Sequence, residues 1–198
     1  MSTQKTLAII GTAGRKDDAS RLTLAHYRAM CVLAKQIMAD HGATKLISGG
    51  AAWADHVAVT IALEGAIPLP DLTLYLPAPF SRTAGFDRRS KDGSTAVYYH
   101  QTFKTRTRIN YVHDFDKAIE GGAVVKVNLD GFFARNAEVA AAADIVLAFT
   151  FGKGAPWLPA VFPAGTRASE AGLKDGGTAH TFDRSRAACK IHVTLGDI

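Results

Sequence analysis

The sequence predicts an α/β domain built on an open, mostly parallel β-sheet that is flanked by helices. Short apolar runs alternate with stretches in which apolar residues recur at helical spacing, and this alternation is typical of parallel sheets. Residues 144–150 are almost continuously apolar, as expected for a strand buried on both faces. The 198 residues, of which 47% are hydrophobic and 21% charged, are expected to form a single domain over residues 1–198.

Each element follows from its own pattern and from the residue that ends it. Strands are predicted at short apolar runs, most of which stop at Gly, Pro or Thr, over residues 6–10, 45–48, 72–76, 123–127, 144–150 and 190–195. Helices are predicted over residues 21–40, 53–64, 115–120, 131–143 and 178–189. Residues 151–177 are rich in Gly and Pro and are predicted to form a long loop, a feature that often carries function in compact domains.

The composition excludes several classes of protein. Cys31 and Cys189 stand in apolar, helix-like stretches, which predicts buried thiols and argues against a disulfide framework or a cysteine-based zinc site. No apolar run approaches membrane-spanning length, and the apolar part of the N-terminus is too short for a signal peptide. These observations predict a cytoplasmic protein without a membrane partner. The chain has no metal-ligand spacing such as HExxH, so neither a metal nor a cofactor is expected.

The positive charge is concentrated in one segment. Residues 81–110 contain seven basic and two acidic residues and thereby account for the whole net charge of +5. The same segment interleaves aromatic side chains with cations, as surfaces that bind single-stranded nucleic acid do. We expect residues 79–122 to be a basic insertion within the domain that binds an anion or a nucleic-acid strand, or that closes over a ligand. If residues 98–108 are helical, His100, Lys104 and Arg108 share one face. The alternative is a solvated surface insertion.

Polar, Gly-rich turns follow the predicted strands at the edge where open parallel sheets bind ligands. The first turn, GTAGR, offers Gly11, Thr12 and Arg15 as an anion site, although it is neither GxGxxG nor a P-loop. Thr150 ends the most apolar strand and is expected at the same edge. An ordinary strand-to-helix turn is the alternative for GTAGR.

The second turn contains two glycines directly before a helix. Ser48, Gly49 and Gly50 allow close approach of a ligand to the backbone, and the following helix offers free N–H groups. Asp55 falls in the first turn of that helix. It either accepts a hydrogen bond from a ligand hydroxyl or stabilises the helix dipole.

The third turn opens the last predicted helix after the long loop. Gly176, Gly177 and Thr178 suit a phosphate at the helix N-terminus. The alternative is that Thr178 or Asp175 caps the helix without a ligand.

Arg135 and Asn136 form a polar pair in an otherwise small and apolar helix, which favours a functional role for them.

Taken in order, the segments ISGGAAWAD, FFARNAEVAAAADIVLAFTFG and GGTAHT resemble the SLOG superfamily. That superfamily comprises Rossmann-like folds related to the LOG nucleotide phosphoribohydrolases and to the DNA-processing protein DprA. The resemblance covers residues 7–78 and 131–195. It implies a Rossmann-like fold, nucleotide binding at the carboxyl ends of the strands, and frequent oligomers such as a homodimer.

For LOG enzymes, the resemblance further implies cleavage of the N-glycosidic bond of a nucleoside 5′-monophosphate to the free base and ribose 5-phosphate. Arg135 corresponds to the Arg of the motif M-x-x-R-K-x-x-M, and Asn136 stands where that motif has Lys. In P-G-G-x-G-T-x-x-E, the position of the Glu is Thr181 when the sequences are aligned on Gly177 and Thr178. It is Asp183 when they are aligned on Gly176 and Gly177.

Cleaving such a bond requires a carboxylate near the ribose and a hydrogen-bond donor near the base. We expect Arg135, Asp183 and His180 to be the catalytic residues, with Asp55 and Glu138 as further carboxylates. For Glu138 a solvent-facing role is favoured, and His180 is equally well explained as a polar residue in a first helical turn. Two alternatives to an enzyme remain: a protein that binds a nucleotide signal without cleaving it, and a DprA-like module that binds single-stranded nucleic acid through residues 81–110.

Overall fold

The computed structural model describes residues 4–174 and 176–198 and has the predicted alternation of strands and helices. The strands are β1 (Lys5–Gly11), β2 (Ala43–Ser48), β3 (Leu72–Leu76), β4 (Phe80–Ser81), β5 (Gly85–Phe86), β6 (Val124–Val127), β7 (Ile145–Thr150), β8 (Pro159–Pro163) and β9 (Cys189–Thr194). The α-helices are α1 (Asp18–Arg21), α2 (Leu24–His41), α3 (Ala54–Leu63), α4 (Lys91–Thr107), α5 (Tyr111–Glu120), α6 (Phe132–Ala142) and α7 (Gly177–Arg184).

Seven strands form one sheet in the order β6-β3-β2-β1-β7-β9-β8. All neighbours are parallel except β8, which runs antiparallel to β9 at one edge. This arrangement confirms the predicted open, mostly parallel, Rossmann-like sheet. The strand order changes direction at β1, because β2 lies on one side of it and β7 on the other.

The side chains of the central strands alternate between two helical layers. Leu7 and Ile9 of β1 point into a core that also contains Tyr27 and Phe115 from the helices of one face. Ala8 and Ile10 point into a second core formed with residues of α6 and α7. Alternation on a strand buried on both faces explains why β1 and β7 read as apolar runs without a period.

The insertion is built from a two-stranded hairpin, β4–β5, and from the helices α4 and α5. Its sequence predicted only the helix at residues 115–120, which the structure extends to Tyr111–Glu120. Ser90 begins α4 by accepting a hydrogen bond from the Gly93 N–H at 3.0 Å. Phe86, Phe103 and Phe115 of the insertion lie in the same core as Leu7 and Ile9 of β1, so the insertion packs against the sheet and its helices.

Three predicted elements are wrong in their extent. The helix predicted over residues 21–40 is divided, because Thr23 is extended and caps α2 by accepting from the His26 N–H. The helix predicted over 178–189 ends at Arg184, and Cys189 instead begins β9, where it is half-buried. The predicted loop 151–177 contains the edge strand β8, whose terminal prolines suit an edge.

Candidate functional site

The carboxyl ends of β1, β2 and β7 meet where the strand order changes direction, which is where open α/β sheets bind ligands. Gly11, the last residue of β1, lies opposite Phe149 of β7. A side chain at Gly11 would overlap the Phe149 carbonyl and the Ala54 methyl group, and its φ of +157° is unfavourable for other residues. The glycine is therefore required for the close approach of β1, β7 and α3.

The loop after β1 is held by a buried carboxylate. Thr12 donates its hydroxyl to Asp18 at 2.7 Å and accepts the Gly14 N–H at 3.1 Å. Lys174 binds the other oxygen of Asp18 at 3.2 Å, which connects this loop to the long loop before α7. Thr12 therefore has a structural role. Arg15 is exposed, and within the described ranges it forms no ion pair.

The turn after β2 is fixed by hydrogen bonds from both sides. The fully buried Ser48 hydroxyl donates to the Asp55 carbonyl at 2.8 Å and accepts the Gly50 N–H at 3.1 Å. The Gly50 carbonyl accepts from His100 Nε2 at 3.1 Å. Because a carbonyl can only accept, His100 carries its proton on Nε2. His100, on α4, thus couples the insertion to the Gly49–Gly50 turn.

A strained residue, Trp53, directly precedes helix α3 behind this turn. Trp53 has φ +62°, a left-handed value that is rare for a residue with a large side chain. Its ring is fully buried against Tyr27 and Phe103, and its indole Nε1 has no hydrogen-bond partner within residues 4–174 and 176–198. Packing of the ring holds the backbone in this conformation, as expected where strain is retained near a site.

A buried ion pair lies at the base of the candidate site. Arg135 Nη1 is 3.4 Å from the Asp55 carboxylate and also donates to the Gly49 carbonyl. A Cβ at Gly49 would overlap both charged groups, so only glycine fits there. Burial raises the pKa of Asp55 and lowers the pKa of Arg135. The charge of each group acts in the opposite direction on the pKa of its partner. Arg135 Nε is buried and has no partner in the described part of the chain.

The start of α7 is joined to both α6 and β1. Asn136 donates to the Gly177 carbonyl at 3.2 Å, and the Thr181 hydroxyl donates to the same carbonyl at 2.9 Å. Thr178 donates to the Gly11 carbonyl at 2.8 Å. The first residue of α7 is therefore placed at the end of the central strand, beside the polar pair of α6.

The residue that precedes α7 is Gly176, with φ +136° and no side-chain cap. Thr178 is consequently not the helix cap, because its hydroxyl is used by β1. Asp175, the other predicted cap, lies outside the described residues. An uncapped helix start leaves backbone N–H groups available to an anion.

His180 and Phe133 meet beside this helix start. Their ring centroids are 4.6 Å apart in an edge arrangement. His180 Nδ1 is buried and lacks a partner among the residues the structure describes. Burial lowers the pKa of His180, so the ring is neutral near pH 7.

The structure does not bring Asp183 to the polar cluster around Arg135. Asp183 Oδ1 accepts the Ala168 N–H at 2.6 Å and lies 3.9 Å from Arg167 Nε. Asp183 thus holds the loop before α7. Glu138 is exposed and accepts from Asn128 at 2.9 Å, which confirms its solvent-facing interpretation.

Thr150 is at the expected edge, but its hydroxyl is engaged by a residue that sequence reasoning missed. His192 of β9 lies 2.8 Å from Thr150 through Nε2 and 2.8 Å from the Ala171 carbonyl through Nδ1. Since the carbonyl only accepts, Nδ1 carries the proton and the Thr150 hydroxyl donates to Nε2. This chain of bonds fixes the long loop over the sheet. A polar residue within an apolar strand is the sequence signal for His192.

The basic segment is only partly available for ligands. Arg82 pairs with Asp116 and Glu120, and Arg89 pairs with Asp87. The remaining basic residues of residues 81–110 form no ion pair within the described chain.

Residues 98–107 are helical, as the expected shared face of His100, Lys104 and Arg108 required, but the three side chains do not form one exposed surface. His100 is completely buried, whereas Lys104 is exposed, and Arg108 lies past the end of α4 with φ +66°. Phe103 is also fully buried, so fewer aromatic rings face solvent than the sequence pattern predicts.

Within residues 4–174 and 176–198, no three His, Cys, Asp or Glu side chains are grouped so that they could hold a metal ion. Over the same residues, no helix has the length and apolar character needed to cross a bilayer.

The sheet order and the polar turns at its carboxyl edge define a Rossmann-like α/β protein with a candidate ligand site. The chain is 36% identical over 152 residues to the uncharacterized protein R261 of Acanthamoeba polyphaga mimivirus. The aligned region covers 73% of this chain and 81% of the viral protein. The chain belongs to the same family as that viral protein. No family model and no solved structure matches the chain.

Proposed function

We propose that the protein binds a nucleoside 5′-monophosphate or a related nucleotide at the carboxyl edge of the sheet. The observation that carries this proposal is the junction of α6, α7 and β1. There, Asn136 and Thr178 hold the uncapped start of α7 beside the buried Arg135. Free N–H groups and an unpartnered guanidinium N–H suit a phosphate ester.

In this proposal Gly176, Gly177 and Thr178 hold the phosphate, and the turn of Ser48, Gly49 and Gly50 lines the ribose. The SLOG resemblance implies nucleotide binding at this same edge of the sheet. Both cysteines are free, in keeping with the proposed cytoplasmic location.

Cleavage of the N-glycosidic bond is the second candidate, and the Asp55–Arg135 pair favours it. Water would supply the hydroxyl group to C1′ and the proton to the departing base, giving ribose 5-phosphate and free base. Asp55 is a better candidate than Asp183 for the carboxylate that stabilises the ribose cation. Asp55 adjoins the proposed ribose turn, whereas Asp183 is engaged with Ala168. Thr181 at the family Glu position favours binding without cleavage.

The nucleic-acid alternative receives less support. Two arginines of residues 81–110 are neutralised by carboxylates, and Phe103 and His100 are buried. A continuous basic track with exposed stacking rings is the requirement for single-stranded binding.

The test is calorimetric titration with a panel of nucleoside 5′-monophosphates, followed by chromatography for released base. Removing Arg135 alone would leave Asp55 buried without its partner, which costs about 3–5 kcal/mol of stability. The double variant Asp55→Asn/Arg135→Gln avoids that charge. We expect it to bind the preferred nucleotide at least about tenfold more weakly, the loss of one charge-assisted hydrogen bond.

The matched control is Arg82→Gln, which removes an exposed arginine of the insertion and should leave affinity unchanged. Wild-type protein that binds no member of the panel would refute the proposal. Binding without release of base would assign the protein to the non-catalytic class.

A further inference from the structure

Two consecutive phenylalanines in the first turn of α6 have different environments. Phe132 is half-buried, and its ring lies 5.6 Å from the Arg135 guanidinium carbon. Phe133 is 63% exposed. A large aromatic ring exposed beside a polar ligand site requires an explanation, since burial of such a ring is favourable.

The orientation of Phe133 is fixed although the ring is exposed. The His180 ring packs against it at 4.6 Å with an interplanar angle of 63°. His180 comes from α7, and Asn136 bonds α6 to Gly177 of the same helix. The exposed ring of Phe133 is thus held between α6 and α7, which the Asn136–Gly177 hydrogen bond joins.

Phe133 also lies at a suitable distance from the proposed phosphate position. It precedes Asn136 by three residues on α6, and residues three apart on a helix are neighbours with Cβ atoms about 5–6 Å apart. Asn136 contacts the first residue of α7. The exposed ring of Phe133 is therefore about one turn of α6 away from the residue that contacts the start of α7. In a nucleotide, one ribose separates the base from the phosphate, so the two separations are comparable.

Resting on the proposed function, we propose that Phe133 is the surface on which the aromatic base of the nucleotide stacks. Every nucleobase has a π-face, so stacking alone accepts purines and pyrimidines. His180 packs against the edge of this surface, and its ring contributes to the aromatic area that the base would meet. The bound ligand is therefore a complete nucleotide, and ribose 5-phosphate lacks the part that Phe133 contacts.

The experiment compares adenosine 5′-monophosphate with ribose 5-phosphate as ligands of wild-type, Phe133→Ala and Phe133→Trp proteins. We expect Phe133→Ala to lose about 10- to 100-fold in affinity for the nucleotide. Affinity for ribose 5-phosphate should stay within about twofold, and Phe133→Trp should retain nucleotide binding. The control Tyr98→Ala removes a ring that is 67% exposed on α4, and it should change neither affinity.

Four results would overturn the inference. An unchanged nucleotide affinity in Phe133→Ala would show that the ring does not contact the ligand. Equal losses for both ligands would assign Phe133 to shaping of the phosphate site. A change in oligomeric state without a change in affinity would assign the ring to a protein interface. Wild-type protein that binds neither these two ligands nor any other nucleoside 5′-monophosphate of the panel would refute the proposed function and the stacking surface together, whereas the first three results leave the proposed function intact.

Discussion

The two helical layers on opposite faces of the sheet differ in the size of their side chains. The layer that contains α2 and α3 buries large rings, among them Tyr27, Trp53 and Phe103. In the layer formed by α6 and α7, most buried side chains are smaller, such as Ala140 and Ala179, although Phe182 is also buried there. We refer to them as the aromatic layer and the alanine layer.

The difference separates the residues that stabilise the domain from most of those proposed to contact a ligand. Small side chains let α6 and α7 approach the sheet edge closely enough for Thr178 to reach Gly11 and for Arg135 to reach Gly49. The aromatic layer supplies the buried area that stabilises the domain and supports the turn at Gly50 through His100. Most groups proposed to contact the ligand therefore belong to the layer with less apolar bulk.

The largest expected effect is the loss of stability on removing a ring from the aromatic layer. Phe103 is fully buried, and its ring centroid lies 5.0 Å from those of Tyr27, Trp53 and His56. Phe103→Ala should lower the free energy of unfolding by about 3–5 kcal/mol because it leaves a cavity. Urea denaturation measures this value.

The matched control for that variant is Phe133→Ala, which removes an exposed ring beside the alanine layer. It should change stability by no more than about 0.5 kcal/mol. Equal losses in the two variants would contradict the division of roles between the layers.

Acid sensitivity is the next effect, and it also originates in the aromatic layer. Burial lowers the pKa of His100 from 6.5 to about 4, and burial lowers the pKa of His56 as well. The unfolded chain binds these protons below pH 6.5, whereas the folded chain excludes them, so stability should decrease as pH falls from 6.5 to 4. His100 alone contributes about 3 kcal/mol to this decrease.

Chemical denaturation at several pH values tests this expectation. His100→Gln removes one of the two titrating groups and should weaken the dependence on pH, which leaves the part that His56 contributes. His113→Gln changes an exposed histidine of α5 and should leave the dependence as in the wild type. A wild-type stability that is constant between pH 6.5 and pH 4 would contradict the burial of both rings.

The smallest effect concerns the hydrogen bond between Thr178 and Gly11. Thr178→Val preserves the shape of the side chain and leaves the Gly11 carbonyl without this donor, so stability should fall by about 1 kcal/mol. Thr178→Ser retains the donor and should lose less. Thermal unfolding of the two variants measures the difference, and identical losses would show that the hydroxyl contributes nothing.

Most of the sheet was predictable, because most of its strands are short apolar runs that end at Gly, Pro or Thr. The strand β8 was not, since an antiparallel edge strand bounded by Pro159 and Pro163 reads locally as a loop. The last helix was overextended because the sequence near Cys189 is apolar and has no local stop signal. Tertiary pairing of β9 with β7 decides that boundary.

The turns of the candidate site were predictable from Gly-rich sequence, but their internal contacts were not. Asp55 and Arg135 were each identified separately, although they are 80 residues apart and no local pattern indicates that they pair. His100 and His192 were missed as supporting residues, because a buried histidine is recognised only when its acceptor is known. The nucleotide and the reaction stay predictions.

The placement of β1 between β2 and β7 has a consequence for the growing chain. Residues 7–11 pair with residues 145–149, and Thr178 closes the junction from still further along the sequence. A nascent polypeptide that has left the ribosome only as far as α6 has one side of its central strand unpaired, and the proposed phosphate cradle has not yet emerged. A ligand that binds the proposed cradle would therefore stabilise only the finished form.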